Sequence, residues 1–376
     1  MELSPTISLV MIVRDEERNI RQLLHEMAPV YDEAVVVDTG STDDTVSLAQ
    51  TEGAKVVHFP WCDDFAAARN FGIAAAGCHW ILTMDADERL ADQDFSILKK
   101  AVASAVPKGY LLTQRNYTDL ISHPEWRSIN GKYPKQENGM SGFIEAHQIR
   151  LFPNLPELRY QGCIHETIGG CTLAAIEKEH LPATIHHFGH IQTGAAAKRR
   201  NDLYSRLTRE KFRRNPQDGD ACFQMATRFL EEGQVDQARK LLEQLVVHGE
   251  TDHPATTRGN LALGRILQQT GEPAEAIKKF ELAVQQKPQW LTCWTEVISA
   301  LVDAGRWSEV SRYLAAAQTI FQDEPLLWRF ECRLLVATGK YTAAAEKADK
   351  LVKLFPAWQG VHRLASICRK LAQEKL

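Results

Sequence analysis

The sequence predicts two fold classes in series: an α/β domain built on a mostly parallel sheet, then an all-α solenoid of helix pairs. Three observations predict it. Between residues 7 and 90, short β-branched apolar runs alternate with segments of helical period, the pattern of strand–helix–strand units. Beyond residue 216 the alternation stops and glycines recur at Gly233, Gly271, Gly305 and Gly339, spaced 38, 34 and 34 residues apart. The 376 residues, 44% hydrophobic and 24% charged, supply apolar material for two cores of ordinary size.

Taken in order, residues 7–13 (ISLVMIV) read as the first strand, and residues 14–19 lead into a helix with Ile20, Leu23, Leu24 and Met27 at helical spacing. Glu33 to Val37 form the second strand, which ends in DTGSTDDT. Gly40 supplies the freedom of the turn, and Ser41 or Thr42 can cap a helix over residues 43–52. Residues 55–59 are a third strand and FAAARNFGIAAA a third helix. The fourth strand, Trp80 to Met84, ends abruptly in Asp85, Ala86, Asp87 and Glu88. In an open α/β sheet this is the edge where ligands bind, and carboxylates there can hold a hard divalent cation able to clamp a diphosphate. The same acids also suit a solvated loop opening a helix over residues 92–105, and the residues by themselves leave both readings open.

Motif absences narrow the ligand. No G-x-G-x-x-G follows the first strand and no G-x-x-x-x-G-K-[ST] occurs, which disfavours a dinucleotide fold and a P-loop. Asp38, at the end of the second strand, can accept hydrogen bonds from a ribose hydroxyl or a base N–H. Asp43 can add another or serve as a first-turn helix acid, and Arg69 with Asn70 makes a polar pair on the third helix. The net charge of -4 argues against a general nucleic-acid footprint. Eight cysteines without a C-x-x-C pair suggest neither a zinc site nor a disulfide framework, so a reducing cytoplasm is expected. The apolar run at residues 7–13 is too short for a bilayer and lacks a basic leader, which predicts a chain neither secreted nor membrane-spanning.

Residues 107–142 are polar and rich in Gly, Pro, Asn and Tyr, the composition of a long loop of the kind that forms a flap over an acceptor. HQIRLFPN then gives a strand and turn. His165 and Glu166 follow on a short glycine-bounded segment, from which side chains can reach a cleft or lie at the surface as a polar pair. TIHHFGH places His186, His187 and His190 close together without the i, i+4 spacing of a helical zinc site.

The ordered set SLVMIVRDEERNI, VVVDTGSTDDT, WCDDFAAARNFGIAAA and WILTMDADERL resembles the family 2 glycosyltransferases of the GT-A fold. More narrowly, it resembles the branch holding the peptide S-glycosyltransferases of glycocin biosynthesis and the lipopolysaccharide-core glucosyltransferases. The likeness covers residues 5 to about 195. It implies a Rossmann-like nucleotide-sugar-binding domain and a nucleotide-sugar donor, expected to be a UDP-hexose. Asp38 and Asp43 would lie near base and ribose, Arg69 near base or diphosphate, and Asp85 and Asp87 would form the Asp-x-Asp pair with Asp87 most directly on a Mn2+ or Mg2+ ion. His187 matches the late histidine that often completes the metal shell, while His190 stands where a tyrosine is expected. His165 and Glu166 match a His-Glu of this branch, which makes Glu166 the candidate base, with Glu88 as the other candidate.

Between Lys198 and Arg214 a helix carries eight basic residues against Asp202 and Glu210. Such a helix can meet phosphates or a membrane surface, or can be the solvated face of a connection with Leu203, Leu207 and Phe212 turned inward. The glycines already noted are each followed five residues later by Ala238, Ala276, Val310 or Ala344, which gives the helix–turn–helix unit of the tetratricopeptide period. Repeats are expected over residues 216–356 with a closing helix over 357–376, so the domains read as 1–195, 196–214 and 215–376. Such arrays grip peptide segments; a purely structural role or a homodimer through the repeats is the other reading. The expected activity is metal-dependent inverting hexosyl transfer to a peptide or protein side chain held by the repeats. The alternatives are extension of a lipopolysaccharide-core or lipid-linked saccharide, and a non-catalytic repeat scaffold.

Overall fold

A computed structural model describes residues 5–103, 108–118, 126–129, 131–169, 177–188, 195–322, 324–354 and 359–374. The chain divides into two compact units, Met1–Leu207 and Thr208–Leu376.

The first unit begins as expected. Strand β1 (Ile7–Val13), helix α1 (Ile20–Met27), β2 (Glu33–Asp38), α2 (Thr45–Thr51), β3 (Lys55–His58), α3 (Phe65–Ala75) and β4 (Trp80–Thr83) alternate, and β3, β2, β1 and β4 run parallel side by side. Strand pleating sends Leu9, Met11 and Val13 to the face covered by α1, while Val10, Val35 and Ile81 face α3. Helix α3 lies unusually close to that face. A Cβ on Gly72 would stand 2.6 Å from a Val37 methyl and 2.8 Å from a Val10 methyl, so the glycine sets the approach.

After β4 the sheet becomes mixed, a correction to the mostly parallel expectation. Next in chain order come β5 (Glu88–Leu90), a 3-10 turn at Asp92–Asp94, α4 (Phe95–Val102), β6 (Gly109–Tyr117), β7 (Trp126–Ser128), α5 (Pro134–Glu137) and β8 (Gly142–Pro153). A small hairpin of β9 (Tyr160–Gln161) and β10 (Thr167–Ile168) and the long strand β11 (Lys178–His187) complete the unit's strands among the described residues. The main sheet runs β3-β2-β1-β4-β8-β6-β11-β5, with β8 antiparallel to both β4 and β6. Within the expected 107–142 loop, Gly109–Tyr117 and Trp126–Ser128 are therefore sheet. Its polar residues misled because they are buried in pairs: Arg115 on β6 holds Glu137 at 2.8 Å, with their side chains 7% and 2% exposed. Ser41 and Thr42 also differ from expectation. The Ser41 hydroxyl accepts the Asp15 N–H and Thr42 donates to the Asp15 carboxylate, so both tie the β1–α1 loop rather than cap α2, which begins at Thr45.

Helix α6 (Ala195–Arg214) covers the basic stretch, with Arg206 bidentate to Asp63 at 2.6 and 2.7 Å. The second unit is built from pairs α7 (Gly219–Glu231) and α8 (Val235–His248), α9 (Pro254–Gln269) and α10 (Pro273–Gln286), α11 (Leu291–Asp303) and α12 (Trp307–Ile320), α13 (Pro325–Ala337) and α14 (Tyr341–Leu354), closed by α15 (Gln359–Glu374). Gly233, Gly271, Gly305 and Gly339 end the first helix of each pair in left-handed backbone, and Ala238, Ala276, Val310 and Ala344 are fully buried as small packing residues.

Candidate active site

The site forms where β4 leaves the sheet. Asp85 and Asp87 stand in the turn between β4 and β5, and that turn is held from behind by Glu88. One Glu88 oxygen accepts the Asp85 N–H at 2.8 Å; the other accepts Arg150 Nη2 at 2.6 Å and Gln114 Nε2 at 3.0 Å. Glu88 is fully buried, its carboxyl raised by that burial and opposed by the Arg150 guanidinium. A carboxylate without solvent access and with three donors on it is a structural anchor, which removes the geometric ground for the alternative base.

From α3, Arg69 reaches the same turn. Its Nε donates to Glu166 Oε1 at 2.6 Å and its Nη2 to Asp85 Oδ1 at 3.0 Å, while the guanidinium lies 5.4 Å from the Tyr160 ring centroid. Burial alone would raise Asp85, but Arg69, then Arg150 and His187, hold it at about 2. Arg69, Asp85 and Glu166 thus form one charge-assisted chain, drawn together from three separate segments. His165 precedes Glu166 with φ 51 and packs edge-on to Tyr204 at 6.0 Å. That left-handed residue turns the short β9–β10 loop so that Glu166 faces Arg69.

Asp87 pairs elsewhere. Its Oδ2 lies 3.5 Å from His187 Nε2, and His187 Nδ1 lies 2.7 Å from Asn116 Oδ1. The Asn116 amide nitrogen donates to the Ile144 carbonyl, so its oxygen is the acceptor and the His187 proton belongs on Nδ1. Nε2 is then directed at Asp87, the tautomer that a ligating imidazole needs, with its other nitrogen held by an outer partner. Burial lowers His187, but the Asp87 contact and the charges of Glu88, Asp87 and Asp85 together raise it. Among the described residues no group of three or more His, Cys, Asp and Glu side chains is gathered as a metal cluster. The expected trio of Asp85, Asp87 and His187 is therefore split, with Asp87 and His187 paired and Asp85 on Arg69. A carboxylate oxygen and an imidazole nitrogen at 3.5 Å fit a divalent ion as two of its ligands.

Asp38 and Asp43 lie at the ends of their predicted elements but are turned to local work. Asp38 accepts the N–H groups of Gly40 and Ser41 and lies 3.2 Å from His58 Nδ1. Asp43 accepts from the Glu17 N–H and from Thr45, joining the loops after β1 and β2. His186, beside His187, is fully buried against the Tyr117 hydroxyl at 2.7 Å and is pushed down to about 3 by that burial. His190 lies outside the described residues.

Sequence reasoning missed Glu16, Asn116 and Arg150. Glu16, in the loop after β1, is raised to about 7 by burial and then by the charges of Asp87, Asp85 and Asp43, against a hydrogen bond from Asn19. It belongs to the same negative field as Asp43, Asp85 and Asp87. The signal was present in RDEERN at the end of the first strand. Arg150 and Asn116 gave none, because their partners are remote in sequence.

Comparison with known proteins bears on the two units in turn. Residues 8–161 match the family described as Glycosyl transferase family 2, and residues 223–289 match Tetratricopeptide repeat. A TPR repeat-containing protein of Synechococcus elongatus is 28% identical over 318 residues, 81% of this chain and 70% of that protein. An uncharacterized glycosyltransferase of Rickettsia typhi is 35% identical over 29% of this chain and 37% of its own length. The SPbeta prophage-derived glycosyltransferase SunS of Bacillus subtilis is 35% identical over 22% of this chain and 20% of its own. The last two are thus matched over little more than a third of their length or less. Residues 8–161 thus carry the likeness to glycosyl transferase family 2, and residues 223–289 the likeness to tetratricopeptide repeats.

Proposed function

We propose that the chain moves a hexose from a UDP-sugar to a polypeptide side chain, by metal-dependent single displacement with inversion. The observation that carries this reading is the Glu166–Arg69–Asp85 chain beside the Asp87–His187 pair, all at the end of β4. Glu166 is the base: Arg69 fixes Oε1 and leaves Oε2 to take the acceptor proton as the nucleophile attacks the anomeric carbon. The bond to the nucleoside diphosphate breaks on the opposite face. Arg69 lies near the departing diphosphate, and Asp38 and Asp43 shape the loops expected around base and ribose. A Mn2+ or Mg2+ ion on Asp87 and His187 would neutralise charge on the leaving group. The repeats, as a peptide-gripping architecture, favour a peptide or protein acceptor. No described helix is long and apolar enough to cross a membrane.

The test is UDP release from a panel of UDP-sugars with and without Mn2+, for wild type, Asp87→Ala and Glu166→Gln. Metal-dependent release abolished in Asp87→Ala, with donor binding kept and turnover at least ~100-fold lower in Glu166→Gln, is expected. Metal-independent release, or undiminished turnover in Glu166→Gln, overturns the assignment of these residues.

A further inference from the structure

Three neighbouring strands of the first unit bring together two histidines that the candidate site does not use. His147 on β8 stands opposite Thr113 on β6, and His180 on β11 approaches from the other side of β6. The register of β11 on β6 shifts between His180 and Thr184, where Pro182 has no N–H to give the ladder. His147 Nδ1 and His180 Nε2 lie 3.1 Å apart, and the Thr113 hydroxyl is 3.4 Å from each. The rings meet at 71° with centroids 4.9 Å apart, so they touch at their edges rather than stack. Both residues are exposed.

Without a cation, two imidazole nitrogens at this distance need a proton between them, since two facing lone pairs repel. A divalent transition ion can replace that proton and take both lone pairs. With metal–nitrogen bonds of about 2.0–2.1 Å, nitrogens 3.1 Å apart subtend about 100° at the ion, between the right angle of octahedral neighbours and the tetrahedral angle. Neither strand has to move to reach it. Partial burial of the His147 ring, and then the charge of His180, lower its affinity for a proton, which favours the neutral form that a metal takes. Glu145, two residues away on β8, is shared by Arg115 and Arg127 at 3.5 Å each and is committed to them. Among the described residues no third His, Cys, Asp or Glu joins the pair, so solvent would fill the other positions. A nitrogen pair suits Zn2+, Ni2+ and Cu2+ better than Mn2+ or Mg2+. His180 precedes His187 by seven residues, roughly 20 Å along β11, so the pair is separate from Asp87 and His187.

We infer that His147 and His180 form a cation site of their own, a two-histidine chelate for an ion of the zinc, nickel and copper class, bridging β8 and β11 across Thr113. A bound ion ties together the strand that carries Arg150 and the strand that carries His187.

The experiment is titration calorimetry of the full chain with Ni2+, Zn2+, Mn2+ or Mg2+ alone, for wild type, Asp87→Ala, His147→Gln and His180→Gln. Ni2+ and Zn2+ binding is expected to persist in Asp87→Ala and to weaken at least ~10-fold in either glutamine variant, because a chelate that loses one arm forfeits its intramolecular second bond. In Asp87→Ala, Mn2+ and Mg2+ are expected to bind at least ~10-fold more weakly than Ni2+. Unchanged Ni2+ and Zn2+ affinity in both glutamine variants overturns the inference, as does loss of Ni2+ binding in Asp87→Ala, which would place the ion at the candidate active site instead. A second readout needs no variant: carbethoxylation of each histidine in the wild type, followed by mass spectrometry of its peptides. Zn2+ is expected to slow modification of His147 and His180 together, and EDTA to restore it; an unslowed rate at either residue overturns the chelate.

Discussion

Replacing Arg69 by methionine keeps much of the side chain's apolar bulk and removes the charge that joins Glu166 to Asp85. The Arg69 and Glu166 side chains are 10% and 13% exposed at 2.6 Å, so that contact carries nearly the full penalty of an orphaned buried charge. Asp85 is 35% exposed at 3.0 Å and counts for less, since solvent screens it. Breaking one side of a buried pair costs about 3–5 kcal/mol, and with the discount on Asp85 the expected loss is about 3 kcal/mol in urea unfolding. Glu166→Gln retains an oxygen acceptor for Arg69 and should cost about 1–2 kcal/mol. The double variant should lose at least about 1 kcal/mol less than the sum of the single losses, because each change removes the same contact. Acid titration adds an independent sign. Asp85 is held at about 2 in the folded chain against an ordinary 3.8, so its stabilisation is present above pH 3.8 and disappears as pH falls towards 2. The gap between wild type and Arg69→Met should therefore narrow across that window. Additivity within about 0.5 kcal/mol, or a gap that does not change with pH, would refute the linked chain.

Other perturbations have distinct expected outcomes. Glu88→Ala leaves the Arg150 side chain, 4% exposed, without its carboxylate and should destabilise by about 3–5 kcal/mol in urea; a stable variant that lost only turnover would return Glu88 to the chemistry. Gly72→Ala should lower stability by about 1–3 kcal/mol by driving α3 off the two valines, read as a lower unfolding midpoint, and an unchanged midpoint would mean the helix shifts freely. Glu16, ordinary at 4.5 and near 7 when folded, is an acid raised by folding, so it takes stability away as pH rises from 4.5 to 7. Glu16→Gln should flatten the wild-type decline over that window by about 1–3 kcal/mol, and identical pH profiles would remove Glu16 from the negative field.

The elements that were legible in the sequence are those whose information is local. β1, β2 and β4 announce themselves as unbroken apolar runs buried on both faces, and the repeats by a glycine whose left-handed turn must recur in every pair. The acids at the end of β4 were legible for the same reason. Strand β6 was not, because its Gln114 and Arg115 are buried against partners that only tertiary structure supplies. The site divided along the same line. Asp85 and Asp87 could be named from one motif, but that Arg69 would hold Glu166 depends on residues 97 positions apart, and the withdrawal of Glu88 from solvent depends on Arg150, 62 positions away.

That last dependence has a consequence in time. On the ribosome, Asp85 to Glu88 are made before the strands that secure them. At a synthesis rate of about 5–20 residues per second, the 62 residues to Arg150 represent roughly 3–12 s in which the acidic turn has no guanidinium behind it. A nascent chain in that interval can already pair β1, β2 and β4, yet its acidic turn has no fixed geometry. The acidic turn is thus secured late in the making of the first unit, when β8 closes against β4.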